Sequence, residues 1–259
     1  MKGKDLLNKI ELADPAFVEE ADRAPKIQNN RWLKWVSMAA CVCVLAIGII
    51  ILKNNFKITD EQDVRKIGDV TVSKIDDMQG IPYISKSLLV SLTEDEIFSK
   101  TNLVIARGKV TKIENIEMNF GGYIKVYRAI ATVKIDKVIK GKLKTGSSMD
   151  ILLPTAIAPG VYVEDTGIIS QLRVGMEGIF MPCENEKDAY IEYYGVPLMA
   201  RELARYGLPD GMRFAFLATE KGLVFEKGTT YQRISNARTL EDIEEYIADM
   251  LEKNKALCQ

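Results

Sequence analysis

Histidine is absent from all 259 residues, and that absence decides much of the chemistry before any motif is sought. The side chain that most often serves as general base, zinc ligand and near-neutral pH switch is missing, and with it any Ser-His triad. Gly141-Lys142-Leu143-Lys144-Thr145-Gly146-Ser147-Ser148 holds the ingredients of a phosphate loop in the wrong order. A Walker loop closes on Gly-Lys-Ser/Thr and enters a helix, whereas the strand-like Met149-Asp150-Ile151-Leu152-Leu153 follows here, so a hairpin turn is expected. No G-x-S-x-G elbow occurs. Glu184-Asn185-Glu186-Lys187-Asp188 comes nearest to a calcium loop, but Lys187 is badly placed and the sharp-turn glycine is missing. It reads as a polar hairpin tip.

A Ser/Lys dyad or a carboxylate pair stays open in principle, because serines, lysines and 36 acids are available. Glu164, Asp165, Glu192 and Glu202 carry no spacing signature and read as solvated. Tyr162, Tyr190, Tyr193, Tyr194 and Tyr231 are either a stacking platform for carbohydrate or peptide, or half-buried barrel residues. Cys41 and Cys43, two positions apart on a helix, point to nearly opposite sides and cannot share a metal. Cys183 and Cys258 could pair in an oxidising compartment, although Cys258 stands at a terminus that usually frays. No catalytic, cofactor-binding or metal-ligating residue is nominated.

The elements that would position any site begin with residues 35–52, an uncharged run of 18 residues. As a helix it reaches ~27 Å, close to the ~30 Å hydrocarbon core. Trp32 and Trp35 sit where amphipathic rings favour the headgroups, and Lys34 and Lys53 bracket the run. It ends Ile49-Ile50-Ile51-Leu52-Lys53, with no small-residue cleavage site, and its long apolar part follows the lipobox-like Ala39-Ala40-Cys41 instead of preceding it. An uncleaved signal anchor, one transmembrane helix in the lipid bilayer of the cell membrane, is expected.

The tail 1–34 carries seven Lys or Arg and is placed in the cytosol, which sends the rest outward. Within that tail Leu6, Leu7, Ile10, Phe17 and Val18 stand at helical spacing and are the candidate contacts for a cytosolic protein partner. Residues 53–92 read as a tether, and 93–259 as the extracytoplasmic domain. With 35 Lys and Arg against 36 Asp and Glu, no overall field favours nucleic acid.

In that outer domain Thr93 and Glu96 form a capping-box pattern before a short helix at 94–100. Strands are expected at 102–113, 127–136, 149–154, 161–164, 174–181, 190–194, 213–218, 223–226 and 230–234. The clearest has Tyr127, Ala129, Ala131, Val133 and Ile135 on one face and Arg128, Ile130, Thr132, Lys134 and Asp136 on the other. Helices are expected at 198–206 and, amphipathic, from a Thr239 cap to about 254, with Leu240, Ile243, Ile247, Met250 and Leu251 in one stripe. The class is mainly β, a small barrel or sandwich with a C-terminal amphipathic helix, preceded by the transmembrane helix.

Two stretches resemble known proteins. Residues 1–52, with Leu6-Leu7, Asp14-Pro15-Ala16-Phe17-Val18-Glu19-Glu20-Ala21 and Trp32-x-x-Trp35 leading into Ala39-Ala40-Cys41, look like the amino-terminal module of bacterial single-pass membrane proteins, some of them anti-sigma-factor-like. The stretches 104–110, 133–141 and 172–181 are similar to an extracytoplasmic OB-like barrel of the netrin/TIMP-like kind. Together they imply a non-enzymatic envelope protein with an outward binding or sensing domain for an envelope ligand. The alternatives are a membrane-tethered cell-envelope hydrolase and a purely structural envelope protein.

Overall fold

The computed structural model describes residues 64–78, 83–85 and 89–257. The expected tail, the transmembrane helix at 35–52 and Cys258 lie outside them. Among the described residues no helix is long and apolar enough to cross a membrane.

The framework is a pair of long antiparallel strands, β4 (Ile105–Asn119) and β5 (Lys125–Lys140). Tyr127, Ala129, Ala131, Val133 and Ile135 are all buried, as the period-two pattern requires. Outside β5 lies β6 (Ser148–Leu153), antiparallel to it across the turn at 141–147. Beyond β6, β12 (Tyr206–Gly207) runs parallel to it, and β9 (Cys183–Glu184) runs antiparallel to β12. Two main-chain bonds then return the sheet to its start: Val104 N–H donates to Pro182 O at 2.8 Å and Glu184 N–H to Asn102 O at 2.9 Å. The sheet therefore curls.

On the other side of β4 stand β8 (Glu177–Phe180), β13 (Ala215–Thr219) and β14 (Gly222–Val224), each antiparallel to its neighbour. A hairpin of β1 (Val64–Ile67) and β2 (Val70–Ile75) pairs with the second half of β4, Thr71 opposite Asn119 and Ile75 opposite Asn115. Residues 64–75, expected within the tether, thus supply two strands. A short parallel pair, β3 (Tyr83–Ser85) and β7 (Val161–Val163), and the hairpin of β10 (Tyr190–Tyr193) and β11 (Val196–Met199) form separate small sheets.

Helix α1 (Glu94–Phe98) carries the expected capping box: Thr93 Oγ1 accepts from Glu96 N–H, and the Glu96 carboxylate accepts from Thr93 N–H. The C-terminal helix, here α3 (Leu240–Leu257), lays Leu240, Ile243, Tyr246, Ile247 and Met250 into the main core, with Leu251 partly buried beside them. Arg107 Nη1 on β4 reaches Glu241 at 2.6 Å and Glu244 at 3.2 Å, and Lys137 Nζ on β5 reaches Glu244 at 2.6 Å, so ion pairs fix the helix across both long strands. A second apolar cluster, including Val72, Met118, Phe120, Leu198 and Leu203, fills the space under the β1–β2 hairpin.

Two expectations are corrected. Residues 198–206 do not form one helix: β11 ends at Met199, a single turn α2 (Ala200–Leu203) follows, and β12 begins at Tyr206. Main-chain pairing with β10 takes up residues 196–199 and pairing with β6 takes up 206–207, which leaves room for a single helical turn between them. Residues 230–234 are not a strand but a turn leading into a 3-10 segment, Gln232–Ile234. The Glu226 carboxylate accepts the N–H groups of Gly228, Thr229 and Thr230, which curls the chain and drops Tyr231 wholly into the core.

Candidate ligand groove

A groove of ≈ 520 Å³ crosses the outer face of β4, β5 and β6. Its placement follows from an irregularity in β4. Register shifts between Val110 and Lys112, so that Val110 faces Val133 while Lys112 faces Thr132. The extra residue, Thr111, re-aims the strand beyond it. Lys112, Glu114 and Ile116 then line the groove. Lys112, Thr132 and Asp150 are successive register partners across three strands, as are Glu114 and Ile130 in the next row.

The walls come from elsewhere. Arg65, Val72 and Lys74 of the β1–β2 hairpin close one side and Leu203 of α2 the other. Arg65 Nη2 donates to Glu202 O at 2.8 Å, tying the two walls together. Ile116 and Ile130 make the floor aliphatic, Val72 and Leu203 make the walls partly so, and the rim is charged.

Within it Glu114 is held by two ammonium groups, Lys112 Nζ at 2.6 Å and Lys74 Nζ at 3.3 Å. The hydrogen bond from Lys112 lowers its pKa below the ordinary value, burial opposes that, and the bond from Lys74 adds to it. The same contact raises Lys74. Thr132 Oγ1 donates to Asp150 Oδ1 at 2.7 Å. Glu114, so held, stays ionised near neutrality, which suits it to accept hydroxyls or pair with cations and not to donate a proton. The arrangement is equipped for binding a ligand with an apolar body and charged or hydroxylated edges.

The residues singled out by sequence lie elsewhere. Leu6, Leu7, Ile10, Phe17 and Val18 are outside the described residues. The tyrosines do not gather: Tyr231 is fully buried, Tyr193 packs on Phe120 with ring centroids 5.0 Å apart, and Tyr162 stands exposed on β7. Tyr190 and Tyr194 are exposed at the β10–β11 hairpin. Glu184 binds Arg205 at 2.9 Å, and Cys183 is a half-buried free thiol. Among the described residues no group of three His, Cys, Asp or Glu side chains could hold a metal ion. Sequence reading missed Arg65, Lys74, Lys112, Glu114 and Asp150. The one signal was Ile130, an apolar residue on the otherwise wet face of β5.

Compared with known proteins, the chain matches no family model, no curated protein and no solved structure.

Proposed function

We propose that this protein is a single-pass, membrane-anchored envelope protein whose outward domain is an OB-like barrel of the netrin/TIMP-like kind, and that the groove over β4–β6 is its ligand-binding face. Supporting the barrel assignment is the cyclic neighbour order β4-β5-β6-β12-β9, returning to the residues before β4, with β6 and β12 parallel. That order is the one an OB-like barrel requires, and in such barrels the face of the second and third strands, flanked by two connecting loops, takes oligomeric ligands. Here those strands are β5 and β6. The connection between β9 and β12 supplies α2, the Leu203 wall of the groove.

Anchoring rests on the apolar run 35–52, and the seven Lys or Arg of the tail 1–34 support an outward barrel. In this reading the tail is an anti-sigma-like regulator segment that offers Leu6, Leu7, Ile10, Phe17 and Val18 to a cytosolic partner according to the state of the outer domain. The carrying observation is the groove, an aliphatic floor with an engaged charged rim on the ligand-bearing face of the barrel.

The test uses the full chain in neutral detergent, sedimented with isolated cell-wall polymer. Wild type is expected in the pellet and Ile130→Glu, which charges the floor, in the supernatant. Equal distribution of the two proteins removes the groove from the account. A reporter fused at the carboxyl end that is active only in the cytoplasm removes the topology.

A further inference from the structure

Next to the groove lies a second hollow of ≈ 560 Å³ that shares Ser148, Asp150 and Leu203 with it. It is lined by Lys142 and Lys144 of the β5–β6 turn and by Arg201 and Arg205 from the connection before β12. Together the two hollows carry seven cationic side chains and two lining acids, Glu114 and Asp150. The chain as a whole has a formal net charge of −1, so this excess is local. Glu184 offsets part of it, reaching Arg205 at 2.9 Å and Arg201 at 3.8 Å. Lys142 and Lys144 make no ion pair among the described residues and stand exposed. A cleft lined by an excess of one sign concentrates ligands of the other.

Three further features narrow the ligand. From β1 to β6 the lined arc crosses five strands, ~19 Å at the usual ~4.8 Å spacing, so one small anion would fill a fraction of it. Two guanidinium groups are held in place: Arg205 lies over the Tyr206 ring at 5.4 Å, and Arg201 Nη1 donates to Asn185 O at 3.3 Å. Planar guanidinium forks match phosphate oxygens. Finally, Tyr206 is the one aromatic residue of the lining and is buried, leaving no ring on which bases could stack.

We propose that the groove and the second hollow form one channel that binds a linear, phosphate-bearing polymer without nucleobases. This rests on reading the groove as the binding face and adds its ligand class. The probes are inorganic polyphosphate, monophosphate, poly-L-glutamate of matched charge and oligo-dT, each titrated against the full chain in neutral detergent at several salt concentrations. Polyphosphate is expected to bind most tightly, with affinity falling steeply with salt. Lys142→Glu with Lys144→Glu, both on an exposed turn, is expected to weaken it roughly tenfold or more and to flatten the salt dependence.

Unchanged polyphosphate affinity in that double variant overturns the proposal. So does equal or tighter binding of polyglutamate, while tighter binding of oligo-dT would assign the channel to nucleic acid. If polyphosphate fails to bind while Ile130→Glu still abolishes sedimentation with cell-wall polymer, the anion assignment falls and the binding face stands. If both fail, both readings fall.

Discussion

Gly108 of β4 and Gly178 of β8 are register partners, and a Cβ on either would strike main chain. At Gly108 it would meet Lys134 O at 2.2 Å, and at Gly178 it would meet Phe216 O at 2.7 Å. Adjacent strands therefore approach on both sides of this pair, at the point where β4 is flanked by β5 and β8 and its register shifts. A carbonyl cannot swing aside as a side-chain tip can. Gly108→Ala is expected to destabilise the domain by about 3 kcal/mol and Gly178→Ala by about 2 kcal/mol. Denaturant midpoints with an unchanged slope would measure this, and a neutral Gly108→Ala would contradict it.

Arg213 and Asp210 form a buried ion pair at 2.8 Å, and Arg213 Nη1 also donates to Val90 O at 2.8 Å. Asp210 Oδ1 accepts the N–H groups of Met212 and Arg213. Removing the cation leaves a buried carboxylate unpaired, so Arg213→Met is expected to cost about 3 kcal/mol. It also unties residues 89–92 at the Val90 carbonyl, and faster proteolytic cleavage confined to that segment at low denaturant is the specific readout.

Acid stability follows from carboxylates held below their ordinary pKa. At Glu226 burial alone would raise the value, but the N–H groups of Thr230, Thr229 and Gly228 together outweigh it and hold the pKa below the usual 4.5. Glu114 is lowered chiefly by Lys112, and Asp242 by the N–H groups of Arg238 and Thr239. Such groups bind protons more weakly folded than unfolded. Their contribution is complete above pH 4.5 and is lost as pH falls through the lowered values. The melting temperature is expected to drop below pH 4.5, and less steeply in Glu226→Gln.

The alkaline side has the opposite sign. Burial, then the bond to the Glu117 carboxylate, raises Tyr127 from 10.0 to about 12. Its phenol stays protonated in the fold while the unfolded chain ionises, so stability is lost as pH rises from 10 through about 12. In Tyr127→Phe that part of the pH dependence should vanish.

At the start of α3, Thr239 Oγ1 accepts from Asp242 N–H at 3.1 Å and Asp242 Oδ2 accepts from Thr239 N–H at 3.0 Å. Thr239→Ala removes the first bond and is expected to cost about 1 kcal/mol. Because α3 covers the core, the loss should appear in global unfolding as well as in fraying of the first turn.

Local signals in the sequence were sufficient for much of this protein. Period-two burial placed β5, the Thr93/Glu96 pattern placed the cap of α1, and the apolar stripe from Leu240 to Met250 placed the buried face of α3, because each depends on neighbours within one element. The phosphate-loop-like segment at 141–148 is a turn into β6, as residue order alone dictated. Tertiary structure decided the rest. The strands 64–67 and 70–75 look like polar tether until β4 supplies their hydrogen-bonding partner, and 198–206 divides because β6 and β10 compete for its main chain. The groove depends on one extra residue in β4, on Arg65 more than a hundred positions from Glu202, and on a curl that brings β9 back beside β4. Register and closure are properties of pairs of distant segments, and no single segment carries them.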